Sequence, residues 1–291
     1  MINAARFIAL NRLPHKYAKH IQKWFAPVAR HLALSQQKAT SPLVVGINGS
    51  QGSGKSTLAR LLVQVFTEEY QLNTVHFSID DFYLTQKERR KLADDIHPLL
   101  ATRGVPGTHD LALLKQVLAD LISGAVSTTI PVFNKAKDDR DPADKWNITK
   151  GAVDIIVFEG WCLGAAPQTE HELLRPLNRL EAEEDLDLRW RRYVNHQLQE
   201  IYPEIFNFVD TWLMLKAPSF DCVFKWRLEQ ENKLRESIPE PSKLMSDHEI
   251  KRFIQHYQRI TEHTLETLPA KVDYLFELDT QREIVNLSCP T

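Results

Sequence analysis

The sequence predicts an α/β fold: a mostly parallel sheet flanked by helices on both faces, with an N-terminal helical extension. From residue 43 onward, short apolar, β-branched runs alternate with stretches of helical spacing, as in a sheet buried on both sides. The first run, Leu43–Ile47, leads through a glycine-rich turn into the amphipathic stretch Thr57–Phe66, a strand–turn–helix arrangement. The chain has 291 residues, 43% hydrophobic and 25% charged, a globular balance with room for one large domain or two small ones.

The elements follow in order. Residues 4–34 read as helical, with Trp24, Phe25, Val28 and Leu32 on one face, and Pro14 and Pro27 breaking the run. Polar residues 35–42 form a linker, so residues 1–41 are expected to be a helical extension and residues 42–291 the main domain. Asn73–Ile79 reads as a second strand, residues 86–100 as a charged helix and Arg103–Asp110 as a loop. Asp110 is placed to cap a helix over Leu111–Ile122. Thr128–Phe133 is a short extended piece, Asn134–Asn147 a polar surface loop, and Val153–Phe158 the most strand-like segment. Residues 170–207 read as helices with a strongly charged middle, Glu181–Arg192. Thr211–Leu215 is a strand, Asp221–Glu236 a helix, and Val272–Leu278 a last strand. Between them, Ser246 with Glu249 three residues on opens a helix running to Leu268.

Charge and cysteine usage exclude several classes. A net charge of −2 provides no global basic field for nucleic acid, so a cationic site for an anionic ligand must be local. Cys162, Cys222 and Cys289 make neither a zinc spacing nor a disulfide framework, which fits a reducing compartment. The apolar runs are strand-sized, too short to span a membrane, and the N-terminal residues lack an apolar leader core; the cytoplasm is expected.

The glycine-rich turn carries the chemistry. Gly49-Ser50-Gln51-Gly52-Ser53-Gly54-Lys55-Ser56 fits G-x-x-x-x-G-K-[ST], the phosphate-binding P-loop. A strand before it and a helix after it aim backbone N–H groups and a positive helix end at a polyphosphate. The expected nucleotide-binding set is Gly49, Ser50, Gln51, Gly52, Ser53, Gly54, Lys55, Ser56 and Thr57. Lys55 is expected to reach the β- and γ-phosphates of ATP, and Ser56 to offer its hydroxyl to Mg²⁺.

In an open parallel sheet, ligands gather at the carboxyl ends of strands. There the sequence puts the P-loop, Asp80 and Asp81, and Glu159. Phosphoryl transfer needs held phosphates, a metal, a positioned nucleophile and cations for developing charge. Glu159 closes an apolar run and is assigned to Mg²⁺, directly or through water. Asp80 is the expected base for an acceptor hydroxyl, with Asp81 as the alternative, a helix cap or a water-mediated metal ligand. Arg103, His109, Lys135 and Arg140 are expected to hold an anionic acceptor, with Asp81 and Tyr83 on the same side. Arg227, two residues from Lys225 on a helix, is expected to close over transferred phosphate. Trp161 is expected to pack beside the pocket; His15, His20, His31 and His248 are assigned structural or surface roles.

These motifs resemble the phosphoribulokinase/uridine kinase/pantothenate kinase group of P-loop small-molecule kinases. The pieces that carry the resemblance are the P-loop, Ser78-Ile79-Asp80-Asp81-Phe82-Tyr83 and Phe158-Glu159-Gly160. The resemblance implies the P-loop NTPase fold of that group, with Asp80 as catalytic base and Glu159 serving the metal. Four pieces more closely resemble plant-type D-glycerate 3-kinase with its fungal and bacterial relatives. They are Ser78–Thr85, Arg103-Gly104-x-x-Gly107-Thr108-His109-Asp110, Phe158–Gly164, and Trp226-Arg227-Leu228-x-Gln230-Glu231. That resemblance implies ATP and D-glycerate giving ADP and 3-phosphoglycerate. The chain departs from the family's Pro-x-Tyr-Asp-Lys-Ser and Gly-x-Gly-Asp-Arg segments: the text runs Pro131-Val132-Phe133-Asn134-Lys135 and on to Asp138-Asp139-Arg140. The lysine and Asp-Arg remain, while the first aspartate is Asn134 and the glycines are missing. Phosphorylation of another small alcohol, a nucleoside or pantothenate-like compound, is the nearest alternative. A nucleotide-dependent switch without acceptor chemistry is a different class, for which an acid at position 80 has no obvious use.

Overall fold

In a computed structural model, described over residues 4–237 and 246–289, the predicted mostly parallel sheet is present. The strands are β1 Leu43–Gly49, β2 Thr74–Ser78, β3 Ser127–Ile130, β4 Phe133–Asn134, β5 Asp139–Arg140, β6 Asn147–Lys150, β7 Ile155–Gly160, β8 Thr211–Lys216, β9 Tyr274–Leu278 and β10 Ile284–Ser288. The six-stranded sheet has the order β10-β9-β8-β1-β7-β2. Its pairs are parallel except for β9 with β10. The pairs β3/β6 and β4/β5 form two small antiparallel ribbons inside the segment read as extended piece and surface loop. No helix among the described residues is long and apolar enough to cross a membrane.

The central strands alternate their side chains between two cores. Val45 and Ile47 of β1 pack with the Lys55–Tyr70 helix, the N-terminal helices and Trp226 on one face. Val44 of β1 packs with Ile156 and Phe158 of β7 and the Leu111–Ile122 helix on the other. Asp110 caps that helix through the Leu113 N–H, as expected, at 3.1 Å. Ser246 and Glu249 form the expected capping box.

Three features differ from the sequence expectation, and one more, the burial of a charged stretch, was not addressed by it. Pro27 does not break the N-terminal helix: a π-helical turn, Ile21–Phe25, precedes it, and the chain runs helically from Tyr17 to Gln36. A proline in the turn after such a bulge has no ladder position that its missing N–H must fill. The charged helix over residues 86–100 stops at Asp95 and resumes as a 3₁₀ turn, Pro98–Ala101, because Pro98 disfavours helix at the residue before it. The charged stretch Glu181–Arg192 is partly buried. Arg191 pairs with Asp185 at 2.7 Å and Arg259 with Glu181 at 2.7 Å, and both carboxylates are fully shielded from solvent. The antiparallel edge strand β10 was not expected; its alternation is weak because only Ile284 is buried.

The N-terminal extension shares the main core. Phe7, Ile8, Ile21, Phe25 and Val28 are buried with the strands of the sheet. The Phe25 ring lies 5.2 Å from that of Phe276 on β9. Phe25→Ala is expected to lower stability by about 3–5 kcal/mol in a single cooperative transition, measured by denaturant titration with two probes. A separate, minor transition that alone responds to the substitution would show that the extension folds apart from the sheet.

Candidate active site

The parallel register brings three strand ends level. Ile47 of β1 and Ser78 of β2 both pair with Glu159 of β7. The P-loop follows β1, Asp80 follows β2, and Glu159 lies at the end of β7, so all three meet at one sheet edge. A cavity of about 630 Å³ opens there. Gln51, Gly52, Lys55, Ser56, Asp80, Tyr83, Arg103, Lys135 and Arg227 line it, residues drawn from five separate stretches of chain.

The P-loop backbone explains its own glycines. Gly52 and Gly54 take φ of +79° and +96°, the left-handed region that side chains disfavour. A Cβ on Gly52 would also lie 2.7 Å from the Cβ of Trp226. Trp226 is buried, and its indole N–H donates to the Thr280 carbonyl at 3.0 Å. The Phe220–Ser237 helix is therefore seated on the P-loop, which places the next residue, Arg227, in the cavity. Arg227 is held by Glu231 one turn on, at 2.8 Å.

No side chain caps the first N–H groups of the Lys55–Tyr70 helix. Ser50 Oγ, Gln51 Oε1 and Ser53 Oγ are buried without a hydrogen-bond partner among the described residues. Uncapped amides beside unpartnered polar atoms suit a bound anion. Glu159 is 3% exposed. Its Oε1 accepts from Ser56 Oγ at 2.5 Å, Lys55 Nζ lies 3.9 Å from Oε2, and Oε2 accepts no hydrogen bond among the described residues. A hydroxyl and a buried carboxylate with an unused oxygen are the donor chemistry that Mg²⁺ takes.

Asp80 stands opposite. Its Oδ2 pairs with Lys135 Nζ at 2.7 Å, and its Oδ1 accepts from Tyr83 Oη at 2.8 Å. Burial pushes its pKa up, but Lys135 and Lys55 outweigh burial and hold the carboxyl well below its ordinary 3.8. It is ionised across the physiological range. Burial also pushes the Tyr83 hydroxyl well up, with the Asp80 charge adding to it, so Tyr83 stays a donor.

Lys135 comes from the β4–β5 ribbon, where the chain departs from the family pattern. Asn134 Oδ1 accepts from the N–H groups of Ala136 and Lys137, both at 3.2 Å, so asparagine closes the turn by itself. Asp138, in place of a glycine, adopts φ +54°. Its carboxylate pairs with the buried Arg89 at 2.9 Å and with Arg103, which locks the ribbon against the cavity wall.

Three of the expected acceptor-side residues do not line the cavity. Asp81 is the third residue of a capping box and accepts from the Ser78 N–H at 2.9 Å; burial raises its pKa to about 6. Asp81 thus serves helix capping, though from the third position of the turn, with Ser78 and not Asp81 as the N-cap. His109 is buried, stacked on Tyr83 with ring centroids 4.6 Å apart, and joined to Tyr202 Oη at 2.6 Å. Burial lowers its pKa to about 4, so it is neutral near pH 7. Arg140 donates to the Tyr83 carbonyl at 3.0 Å and pairs with Asp110 at 3.2 Å. These residues support the wall that carries Tyr83.

Sequence reading did not single out Tyr257, Phe253 or Arg12, and named Gln230 only within a family motif; all four also line the cavity. Tyr257 donates to the Arg103 carbonyl at 2.9 Å, and Trp161 to the Gly104 carbonyl at 3.1 Å. Gly104, at φ +131°, is required because a Cβ there would overlap the Tyr257 ring. Tyr257 lies on a helix distant in sequence, and its periodicity marks it only as core.

A family model described as Phosphoribulokinase / Uridine kinase family matches residues 44–192. The uncharacterized kinase mug58 of Schizosaccharomyces pombe is 36% identical over 240 residues, covering 79% of this chain and 84% of that protein. The chloroplastic D-glycerate 3-kinase of Arabidopsis thaliana is 31% identical over 240 residues, 79% of this chain, which spans about half (49%) of the plant protein. Among solved structures, D-glycerate 3-kinase from Cryptococcus neoformans var. grubii superposes with a TM-score of 0.75 at 26% identity, covering 92% of this chain and 99% of that one. With strand ends, P-loop and matched segment in agreement, the chain belongs to the phosphoribulokinase/uridine kinase family of kinases.

Proposed function

We propose that the chain is an ATP-dependent, Mg²⁺-requiring cytoplasmic kinase that phosphorylates D-glycerate to 3-phosphoglycerate. The observation that carries this reading is Asp80, ionised and held between Tyr83 and Lys135, across one cavity from Lys55 and Ser56. Arg103, Lys135 and Arg227 in the same cavity suit an acceptor with a carboxylate. A nucleoside acceptor calls instead for free aromatic faces. Here Tyr83, Trp161 and Tyr257 are buried and have their polar atoms committed to Asp80 and to the 103–104 backbone. The D-glycerate 3-kinase names of two relatives support the same substrate. Free cysteines, two buried and one exposed, suit a reducing compartment.

The residues divide the work. The P-loop amides and Lys55 hold the β- and γ-phosphates of ATP. Ser56 and Glu159 would hold Mg²⁺, which when bound neutralises charge on those phosphates. Asp80 accepts a hydrogen bond from the acceptor hydroxyl and aims its oxygen at the γ-phosphorus. A new P–O bond forms to that oxygen, the bond to the β–γ bridging oxygen breaks, and ADP leaves. Asp80 takes the hydroxyl proton. A carboxylate this acidic is a weak base, so its main contribution is orientation, which suffices for a loose phosphoryl transition state. Lys55 and Arg227 meet the charge on the transferred group.

Asp80→Asn should keep ATP binding and lose about 10²–10⁴-fold in kcat, while Lys55→Ala weakens both, read by coupled ADP release and calorimetry. Normal turnover by Asp80→Asn would remove the proposed base. Because its pKa is depressed in the folded chain, Asp80 contributes stability above 3.8 that is lost as pH falls through its folded value. Wild-type kcat/KM should therefore carry no Asp80 limb above 3.8. Lys135→Met leaves burial opposed chiefly by Lys55, and the acid limb should move toward neutral; an unmoved limb places the base elsewhere.

In a panel of hydroxyacids, nucleosides and pantothenate, ADP release should depend on D-glycerate. Arg103→Ala should raise the KM for D-glycerate about 10–100-fold with little change for ATP. A nucleoside preferred over D-glycerate overturns the substrate assignment.

A further inference from the structure

We propose that the N-terminal extension is part of the nucleotide site and that Arg12 binds the polyphosphate. The proposal rests on the nucleotide reading above and adds a residue that lies outside the P-loop and outside the segment matched by the family model.

Arg12 adopts φ +52° just past the Ala4–Leu10 helix, in a left-handed position usually filled by glycine. Its N–H donates to the Ala9 carbonyl at 3.2 Å, and the Leu13 N–H donates to the Ile8 carbonyl at 3.0 Å. The corner is fixed from beneath by Phe7 and Ile8 in the core. It is tied sideways to the P-loop helix, since Asn11 Oδ1 accepts from Arg60 Nε at 2.9 Å. A non-glycine residue in this conformation persists where its surroundings hold it there, as at ligand sites. The Arg12 guanidinium has no hydrogen-bond or ion-pair partner among the described residues. Most other cations of the cavity are paired: Lys55 with Glu159, Arg103 with Asp138, Lys135 with Asp80, and Arg227 with Glu231.

Arg12 lines two cavities. One holds Asp80; the other, of about 320 Å³, lies between the extension and the ends of β8 and β9. Arg12, Gly52 and Gln230 line both and form the ridge between them. A nucleotide held at Gly52 with its terminal phosphate toward Asp80 has to leave across that ridge. Its inner phosphates then pass the Arg12 guanidinium. The second cavity has the size and mixed lining that suit a nucleoside. Leu13, Tyr17 and Phe25 come from the extension, Leu215 and Leu278 from the sheet. Glu283, at its rim, ties Lys16 at 2.5 Å and His20 at 2.8 Å to the β9–β10 ribbon.

The test uses the full chain and calorimetric binding of ATP, ADP and adenosine. Arg12→Ala should weaken ATP and ADP by about 10-fold or more and leave adenosine within about twofold. Arg12→Gly should lose the same affinity while raising Tm, because glycine relieves the left-handed backbone; this separates binding from folding. Unchanged ATP affinity in Arg12→Ala, with wild type binding ATP, overturns this proposal and leaves the kinase reading standing. An equal loss for adenosine and ATP overturns the phosphate assignment. Wild type that binds no ATP removes the nucleotide reading itself, and this inference with it.

Discussion

The site depends on one constraint, the parallel register in which β7 lies between β1 and β2 with Glu159 level with Ile47 and Ser78. Side chains alternate along a strand, so a slip of one residue would exchange Phe158 and Glu159 between faces. Phe158 belongs to the core that contains Phe77 and Phe82, and Glu159 faces Ser56. Hydrophobic packing of the first therefore fixes the direction of the second. A carboxylate this buried is costly alone. It is tolerated because a hydroxyl and an ammonium group from the next helix reach it.

The cavity wall that carries Tyr83 is built differently, from loops braced by buried polar groups. The 79–85 and 103–110 segments are joined by the bonds from the Leu84 N–H to the Thr108 carbonyl and from the Asp110 N–H to the Phe82 carbonyl. His109 fills the space behind Tyr83, Arg140 ties the Tyr83 carbonyl to Asp110, and Arg89 anchors the ribbon that offers Lys135. Tyr83 and Arg103 are thus each braced by a residue that does not line the cavity, while Asp80, Tyr83 and Lys135 also hold one another. Within the ribbon, Asn134 supplies the turn bonds and Asp138 an anchoring carboxylate, where the family pattern has an aspartate and a glycine.

This division explains what was legible in the sequence. The strand before the P-loop, the glycine pattern, Asp80 and Glu159 are readable because strand periodicity and a short motif are local signals. Lys135, Arg103, Tyr83 and Arg227 were also found, and they do line the cavity. His109 and Arg140 were placed on the acceptor side because their residue types suit an anion, and Asp81 because it adjoins Asp80 at the end of a strand. Whether a loop side chain faces a ligand or braces its neighbour depends on long-range packing, which spacing does not encode. The same gap hid the burial of Glu181 and Asp185, whose arginine partners include one from a helix far along the chain. It also hid Tyr257, which reaches the cavity from that helix. Pro27 misled because a π-helical turn absorbs a proline that an α-helical interior would not.

Charge in the cavity is arranged at short range. The chain's net charge of −2 creates no attracting field, yet four cations around the cavity each have a carboxylate partner. Such pairs hold long side chains in place before any ligand arrives, which reduces the ordering entropy that binding would otherwise cost. They also limit what can bind. An uncharged ligand would have to pull apart pairs that it cannot replace, whereas an anion can take over a donor and leave the carboxylate bonded elsewhere. Asp138 has Arg89 as a second partner besides Arg103, and Asp80 has Tyr83 as a second partner besides Lys135. The order in which these cations could be released to an anion then follows from which carboxylates have a second partner, and not from the number of positive charges.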